Sequence, residues 1–423
     1  MIVAAKNSYG ESGVAPISRE PIAITGIGAV SPLGHSFDAI QENLLAGRTG
    51  VRSVDPGEFA RESHQFAAAV DVIPAPPVGS CVLDDQGFAG LTRLAQMVLS
   101  PVAHAVADAG LGPSRDRLRI GLVLGLGAEQ LKRWELDFLA GGTQVFEPLP
   151  TDTLVHQIAG MMDLRGPAVT VAAACASSGY AMALGRTWLN AGWVDACVVG
   201  GCDVLSPTAL AAFYNLRALS RRSDDPAKAS RPFDRDRDGF VMGEGGACFV
   251  LERLSAARAR DARVYGELAG VGMSSDAAHM VSPCSDSTQA ARAITQALAD
   301  AQVAADEIDY VNAHAAGTPV GDAAEAGAIR RAFGSAVDLV PVSSTKSMSG
   351  HLVSGAAAFE AVACLAAIAR QAVPPTLNLD NPDPQCQLDH VPHVARERSV
   401  RVTASNSFGF GGANLCLVIR EAA

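Results

Sequence analysis

A cysteine and two histidines are the residues of this chain whose types and settings suit covalent chemistry. Cys175 lies in VTVAAACASSGYAMALG, where an apolar strand is predicted to end and a helix to begin. The start of a helix offers unpaired N–H groups and the positive end of the helix dipole, which lower a thiol pKa and stabilise an oxyanion. A structural cysteine buried at a strand end fits the same pattern. The position alone therefore leaves both interpretations open.

His314 and His351 also follow strand-like segments, IDYVNAH and VPVSS, and Lys346 lies shortly before His351. A single histidine at a strand end is usually a satisfied polar group, but two of them in similar settings, with a cysteine in a third, suggest a shared reaction. The thiolate would take an acyl group from a thioester. Two neutral imidazoles would then donate N–H bonds to the enolate that forms when a malonyl-type donor loses CO₂. A nearby lysine cation would attract the donor carboxylate or keep the histidines neutral.

The elements that must position these residues alternate along the whole chain, which predicts an α/β fold with covered sheets. Strand-like apolar runs occur at 22–27, 120–127, 168–174, 195–201, 245–252, 264–273, 308–314, 339–344 and 413–420. Ala-rich amphipathic helices are predicted at 100–110, 179–191, 288–302, 322–333 and 355–370. We predict a flexible tail at 1–20, an N-terminal half at 21–260 with the cysteine, and a C-terminal half at 261–423 with the histidines.

Composition excludes several classes of function. The formal net charge is −11 and no basic run occurs, which argues against nucleic-acid binding. The nine cysteines include no CxxC pair, so a zinc ribbon is not expected, and their scattered spacing is typical of reduced thiols in the cytoplasm. No basic start followed by an apolar run is found at the N-terminus, and the uncharged segment 166–185 contains proline and glycines. We therefore expect a cytoplasmic protein without a membrane span.

Six segments, in this order, make the chain resemble the β-ketoacyl-acyl-carrier-protein synthases, of the synthase II type found in fatty-acid and type II polyketide pathways. They are AACASS around Cys175, RPFDRDRDGFVMGEG at 231–245, SSDAAHM at 274–280, NAHAAGTPVGD at 312–322, STKSMSGH at 344–351 and NSFGFGG at 406–412. The resemblance covers residues 21–420. It implies a thiolase-like fold of five layers, α-β-α-β-α, built from two similar halves, and a homodimer or a ketosynthase-type heterodimer. It also implies no cofactor, because the substrates are carried on the phosphopantetheine of an acyl carrier protein.

The same resemblance assigns roles to individual residues. It implies that Cys175 is the nucleophile, that His314 and His351 are the catalytic histidines, and that Lys346 and Glu360 support them. Phe410 would be the gate for the acyl chain, and its N–H and that of Cys175 would form the oxyanion hole. Substrate contacts are implied for Ala128, Ala316, Thr318 and Phe408. A monovalent cation is implied at Asn312, Glu360, Ser405 and Asn406.

Departures from the family pattern point to a specialised acyl chain or carrier. Ala128 replaces a bulkier aliphatic residue that limits the acyl pocket, so longer or rigid unsaturated chains are expected. Ala316 replaces a threonine hydroxyl, and Asp84 and Asp85 occupy places where relatives have basic carrier-docking residues. Glu129, beside the pocket, is expected to face solvent or a basic residue at the subunit interface.

The main alternative is a chain-length-factor-like partner subunit, which shares this fold and does not elongate the chain. Such subunits normally lack the nucleophile, whereas Cys175 is present. A thiolase would need a second cysteine in a CxG context near the C-terminus, but Cys416 is followed by Leu417. In synthase III and chalcone-synthase-like enzymes an asparagine takes the place of His351. The acyl chain, the pathway and the choice between homodimer and heterodimer stay open at this point.

Overall fold

The computed structural model of the chain describes residues 20–54, 66–112, 116–127, 129–142 and 153–422. The predicted tail, apart from Glu20, and Ala128 lie outside these residues. The strands are β1 Ile22–Val30, β2 Val51–Ser53, β3 Phe66–Ala68, β4 Ile120–Gly125, β5 Ala168–Val171, β6 Ala196–Asp203, β7 Gly245–Arg253, β8 Gly266–Ser275, β9 Tyr310–Asn312, β10 Pro341–Ser343, β11 Ala372–Val373, β12 Asp389–His390, β13 Arg396–Glu397, β14 Val402–Gly409 and β15 Ala413–Arg420.

The α-helices are α1 Phe37–Leu45, α2 Asp85–Ala89, α3 Arg93–Asp108, α4 Glu129–Leu139, α5 Leu154–Met161, α6 Ser177–Asn190, α7 Pro207–Asn215, α8 Leu254–Ala259, α9 Thr288–Ala301, α10 Pro319–Phe333, α11 Lys346–Ser349 and α12 Ala356–Arg370. Short 3₁₀ turns precede two of them: Ala174–Ala176 leads into α6, and Val353–Gly355 leads into α12. The helices α6 and α12 therefore start in the same way, each next to a residue predicted to be catalytic.

The main sheet consists of two parts with the same strand order. Within the described ranges, one part runs β5-β4-β6-β7-β1 and the other runs β10-β9-β14-β15-β8, with β12 added at its edge. In each part the first three strands are parallel to one another. Each of the last two strands pairs antiparallel with the strand before it. Among the described residues, the strand pairs Ala23–Glu267 and Ile24–Gly266 join the two parts, through β1 and β8. This repetition confirms a fold of two similar halves, while the boundary at 260/261 stays a prediction.

Each part of the sheet has a glycine at the place where a helix packs closely against it. A Cβ at Gly28 of β1 would lie 2.0 Å from the carbonyl oxygen of Pro101 in α3, and one at Gly272 of β8 would lie 1.9 Å from that of Ala293 in α9. Each glycine thus allows its helix backbone to approach the sheet more closely than any side chain would. The GxG at 26–28 therefore serves helix–sheet packing.

Five layers result, in agreement with the expected α-β-α-β-α arrangement. The helices α6 and α12 contact each other between the two parts of the sheet, while α3 and α9 cover the outer faces. Helix α12, AAAFEAVACLAAIAR, is apolar almost all round, which suits a helix buried on every side. Within the described residues, Val353–Arg370 is also the one helical stretch long and apolar enough to cross a membrane, and 83% of it is buried inside the protein. It is the core helix of the central layer.

Candidate active site

Cys175 lies in a strained turn between β5 and α6. Ala174 has a φ of 49°, in the left-handed region that residues with a side chain rarely adopt. The Ser177 hydroxyl accepts the N–H of Ala173 at 2.9 Å and donates to the Ala174 carbonyl at 2.6 Å, which holds the turn closed. Cys175 is buried, and its thiol is placed directly before the first turn of α6.

The loop after β14 contacts this turn. A Cβ at Gly409 would lie 2.7 Å from the Ala173 carbonyl oxygen and 3.3 Å from the Cys175 nitrogen, so a side chain there would push the two segments apart. The close approach brings the Phe410 N–H near the Cys175 sulfur, where it acts to lower the pKa of the thiol. The oxyanion hole implied for the N–H groups of Phe410 and Cys175 agrees with this geometry and stays a prediction.

His351 is held at both its backbone and its ring. Its N–H donates to the Val241 carbonyl at 2.8 Å, and its carbonyl accepts the Gly243 N–H at 2.9 Å. The Val353 N–H donates to Nδ1 at 3.3 Å, and Nε2 lies 3.1 Å from the Cys175 sulfur. Because Nδ1 accepts a hydrogen bond, a neutral His351 has its hydrogen on Nε2, directed at the thiol.

His314 reaches the same place from the end of β9. Its ring centroid is 5.3 Å from that of His351, and the two rings are nearly perpendicular at 82°. Both oxygens of Glu325 in α10 hold the backbone here, accepting the N–H of His314 at 2.8 Å and that of Ala315 at 2.6 Å. The Cys175 sulfur and one ring nitrogen of each histidine lie within 4.8 Å of one another.

A thiol and two imidazoles at such distances could in principle bind a metal ion. The tautomer of His351 argues against this use, because the Nε2 that faces the sulfur carries a hydrogen and has no lone pair to offer a metal. The arrangement suits donation of N–H bonds to an oxyanion better than metal coordination.

Burial and one cation set the charges of the cluster. Lys346 and Glu360 form an ion pair in which both side chains are buried. Burial, and next the Lys346 cation, lower the pKa of His314 and of His351 well below the ordinary value, so both rings are neutral at pH 7. Burial also raises the pKa of Cys175 to about 11, although Lys346 and the Phe410 N–H act in the opposite direction. The expectation of a lowered thiol pKa is therefore wrong, because desolvation outweighs the stabilising groups.

The residues implied as a cation site offer several unused oxygens. Among the described residues, Asn312 Oδ1, Ser405 Oγ and Asn406 Oδ1 are buried without a hydrogen-bond partner. Asn312 and Ser405 are direct neighbours across β9 and β14. These oxygens fit the chemistry of a monovalent cation, but the Glu360 carboxylate is already paired with Lys346. The cation site stays a prediction.

A cavity of about 350 Å³ opens onto the cluster. Ala316, Thr318, Phe408 and Phe410 all line it, together with Cys175 and both histidines. Thr318 also caps α10, since its Oγ1 accepts the Gly321 N–H at 3.2 Å. The predicted substrate-contact residues within the described ranges therefore face the same space as the thiol.

Sequence reasoning missed two residues of this site, Glu325 and Val353. Glu325 lies eleven positions after His314 inside a helix and resembles an ordinary surface acid in the sequence. Val353 contributes only its N–H, and its left-handed φ of 47° has no sequence signal because β-branched residues avoid this region. Glu325 binds backbone N–H groups and Val353 provides one. Interactions with backbone groups are not visible in the pattern of side chains along the sequence.

The acidic residues singled out in the sequence lie at, or contact, the N-termini of helices. Asp84 accepts the Gly87 N–H at 2.8 Å at the start of α2, and Asp85 lies in the first turn of that helix. Glu129 accepts the Leu154 N–H at 2.8 Å at the start of α5. A helix N-terminus thus supplies one partner for Glu129, and the expectation that its side chain turns towards solvent or a basic residue at the subunit interface stays a prediction.

Comparison with known proteins gives the family. Residues 19–257 match the model of the β-ketoacyl synthase N-terminal domain, and residues 265–380 match that of the C-terminal domain. The chain is 37% identical to 3-oxoacyl-[acyl-carrier-protein] synthase 2 of Coxiella burnetii, over 95% of this chain and 99% of that protein.

Two solved structures share the fold, each with a TM-score of 0.83 over 96% of this chain and 100% of the other. One is the ishigamide ketosynthase/chain length factor, at 32% identity. The other is AntDE:AntF, described as a type II PKS acyl-carrier protein in complex with its ketosynthase, at 28% identity. With the geometry of Cys175, His314 and His351, these matches show that the chain belongs to the β-ketoacyl synthase family.

Proposed function

We propose that this protein is a β-ketoacyl-acyl-carrier-protein synthase, an acyltransferase that extends acyl chains in fatty-acid or type II polyketide synthesis. The observation that carries the proposal is the cluster of one thiol and two neutral imidazoles within 4.8 Å at the end of a cavity. A chain-length-factor-like role has less support, because such a subunit would have no use for a cysteine whose sulfur lies 3.1 Å from His351 Nε2.

The first step transfers the acyl group. The Cys175 sulfur attacks the thioester carbon of the acyl carrier, a C–S bond forms to Cys175, and the C–S bond to the carrier breaks. The carrier thiol leaves with the proton that Cys175 gives up. His351 Nε2–H and the Phe410 N–H stabilise the attacking thiolate, which burial disfavours at rest.

The second step is decarboxylation of a malonyl carrier followed by condensation. Loss of CO₂ leaves an enolate, whose oxygen accepts N–H bonds from the neutral rings of His314 and His351. The enolate carbon attacks the acyl-Cys175 thioester, a C–C bond forms, and the C–S bond to Cys175 breaks. The released Cys175 sulfur takes a proton from solvent. No cofactor is needed in this scheme, because release of CO₂ drives formation of the carbon nucleophile.

An acyl carrier protein and a second synthase-type subunit are the proposed partners. The two related structures, one of a ketosynthase/chain length factor and one of a ketosynthase with its acyl-carrier protein, support both. Strand β5, the uncharged segment AVTV, lies at the end of the strand order with one described neighbour, β4. Its second edge could accept a strand of the other subunit. The cytoplasmic location stays a prediction.

Reconstitution with defined substrates tests the proposal. The purified protein is incubated with acyl and malonyl carriers, and the carriers are analysed by mass spectrometry. We expect 3-oxoacyl carrier and CO₂ from the wild type. Cys175→Ala should give no 3-oxoacyl carrier, although its two histidines can still release CO₂ from the malonyl carrier. Failure of the wild type alone, but success after a second subunit is added, would indicate a heterodimer. As much 3-oxoacyl carrier from Cys175→Ala as from the wild type would exclude the proposed mechanism.

A further inference from the structure

A buried carboxylate on the other half of the molecule holds the turn that follows His351. Asp203, the last residue of β6, is 3% exposed and accepts two hydrogen bonds from Ser354. The Ser354 hydroxyl donates at 2.8 Å and its backbone N–H at 3.2 Å, both to Oδ2. Oδ1 accepts the Val204 N–H at 2.9 Å. The carboxylate therefore joins the end of β6 to the segment between His351 and α12.

This segment needs to be held, because its backbone is strained. Val353 has a φ of 47°, which is costly for a β-branched residue. The left-handed conformation accompanies the bond from the Val353 N–H to Nδ1 of His351 at 3.3 Å. Ser354 directly follows Val353 in the chain. The hydrogen bonds that Ser354 donates to Asp203 therefore hold the peptide group that comes directly after the strained residue.

The turn also packs closely against the ends of β6 and β7. A Cβ at Gly355 would lie 2.4 Å from the Gly245 carbonyl oxygen and 3.1 Å from the Cys202 Cα. The Ser354 hydroxyl lies 3.2 Å from the Cys202 carbonyl oxygen as well. Close packing against β6 and β7, together with the hydrogen bonds to Asp203, holds the segment 353–355 at the end of β6.

We propose that Asp203 is a positioning residue for His351. By binding Ser354 it keeps Val353 in the left-handed conformation, so that the Val353 N–H occupies Nδ1 and the ring hydrogen stays on Nε2, facing Cys175. The role of this hydrogen in decarboxylation rests on the proposed function, whereas the tautomer itself is a property of the free protein.

The test reads the tautomer directly. The protein is labelled with ¹⁵N-histidine, and the His351 signals among the nine histidines are assigned with a His351→Gln variant. The ¹⁵N shifts of a neutral imidazole distinguish hydrogen on Nε2 from hydrogen on Nδ1. We expect wild-type His351 to carry its hydrogen on Nε2. Asp203→Ala should give a mixture of tautomers, because Ser354 and with it Val353 are released.

Two further variants and a control make the outcome specific. Asp203→Asn keeps one accepting oxygen for Ser354 and should restore most of the wild-type pattern, while Ser354→Ala should disturb it in part. Asp309→Ala is the matched control: that carboxylate accepts the N–H groups of Arg401 and Val402, outside the site. It should leave the His351 shifts unchanged.

Activity provides a second readout. In Asp203→Ala, malonyl decarboxylation should fall by up to about 10²-fold, as expected for a displaced catalytic group, and acyl transfer to Cys175 should fall less. The proposal is overturned if Asp203→Ala keeps the wild-type ¹⁵N shifts of His351 and the wild-type ratio of decarboxylation to acyl transfer. It is also overturned if His351 of the wild type carries its hydrogen on Nδ1. If Asp203→Ala does not fold, Ser354→Ala decides by the same two readouts. A wild type without any decarboxylation would refute the proposed function and leave the tautomer test intact.

Discussion

Burial acts on the three reactive side chains in ways that match the two steps of the reaction. The histidines lose their charge, so that each ring can donate an N–H bond without repelling Lys346. The thiol at rest keeps its proton, and in the proposed mechanism His351 and Phe410 assist its attack on the thioester. At the scale of single residues, the two functions can therefore be separated by mutation.

Replacing either histidine should affect decarboxylation most. His314→Ala and His351→Ala each remove one donor to the enolate, which typically costs about 10²–10³ in rate. Acyl transfer should survive better, because backbone N–H groups also assist it. Release of CO₂ from a malonyl carrier and acyl loading of Cys175 are measured separately. A His351→Ala protein that condenses at the wild-type rate but cannot load itself would contradict this division.

Removing the charges of the buried ion pair should move the pKa of Cys175 in opposite directions. The Lys346 cation lowers this pKa and the Glu360 carboxylate raises it. We therefore expect a pKa above about 11 in Lys346→Met and a lower one in Glu360→Gln. The pH dependence of Cys175 alkylation, followed by peptide mass spectrometry, reports the value. In the wild type the rate should increase with pH until about 11.

The exposed Lys228→Met is the control and should leave the alkylation profile unchanged. Shifts of the same sign in Lys346→Met and Glu360→Gln would show that the ion pair acts by packing and not by charge. Lys346→Met leaves Glu360 buried without its cation, which typically costs about 3–5 kcal/mol of stability, so folding is checked first.

At the scale of elements, helix α10 positions His314 through Glu325. Glu325→Ala would leave the N–H groups of His314 and Ala315 without their acceptor in a buried place. An unsatisfied buried N–H costs about 1–3 kcal/mol, so we expect lower stability in denaturant unfolding together with slower decarboxylation.

Glu307→Ala is the matched control for that variant, because Glu307 accepts one backbone N–H, that of Ala304, at an exposed position. It should cost less stability and leave decarboxylation unchanged. If Glu325→Ala lost no more stability than Glu307→Ala and decarboxylated at the wild-type rate, α10 would have no role in placing His314.

The sequence predicted elements well where one hydrophobic pattern dominates. Strand β15 begins and ends where the apolar run 413–420 does, and α12 differs by one residue from the helix predicted at 355–370. Strand β14, VTASNSFG, was not predicted as a strand, because its buried residues include the polar Ser405, Asn406 and Ser407. Polar residues replace apolar ones there because the strand borders the active site, and local patterns fail at such places.

The candidate site was predictable to a similar extent. The family motifs identified Cys175, His314 and His351, and the structure brings all three into one cluster. The strained turns at Ala174 and Val353 could not be predicted, since neither residue type favours a positive φ. The direction of the thiol pKa was also beyond the sequence, because it depends on burial by residues distant in the chain.

At the scale of the whole molecule, the two halves meet through α6 and α12, and Gly179 allows this contact. A Cβ at Gly179 would lie 2.1 Å from Leu415 Cδ2 and 3.1 Å from the Ala357 Cβ. Gly179→Ala should therefore destabilise the protein by about 1–3 kcal/mol through overpacking, measured by denaturant unfolding.

Gly160→Ala in α5 is the control, because a Cβ there meets no atom within 4 Å. Alanine is the better helix former, so this variant should gain about 0.5–1 kcal/mol. Opposite signs for the two variants are expected. A Gly179→Ala protein as stable as the wild type would show that the central layer can relax, contrary to the tight packing described here.

A single-turnover experiment tests the central claim, that Cys175 holds the acyl chain while His314 and His351 generate the nucleophile. The wild type, His314→Ala and His351→Ala are first loaded with an acyl carrier and then mixed with a malonyl carrier. Intact-protein mass spectrometry follows the acyl adduct, and peptide mapping locates it. We predict an adduct on Cys175 in all three proteins that is discharged quickly only by the wild type. An adduct on another cysteine, or equally fast discharge in the histidine variants, would contradict the claim.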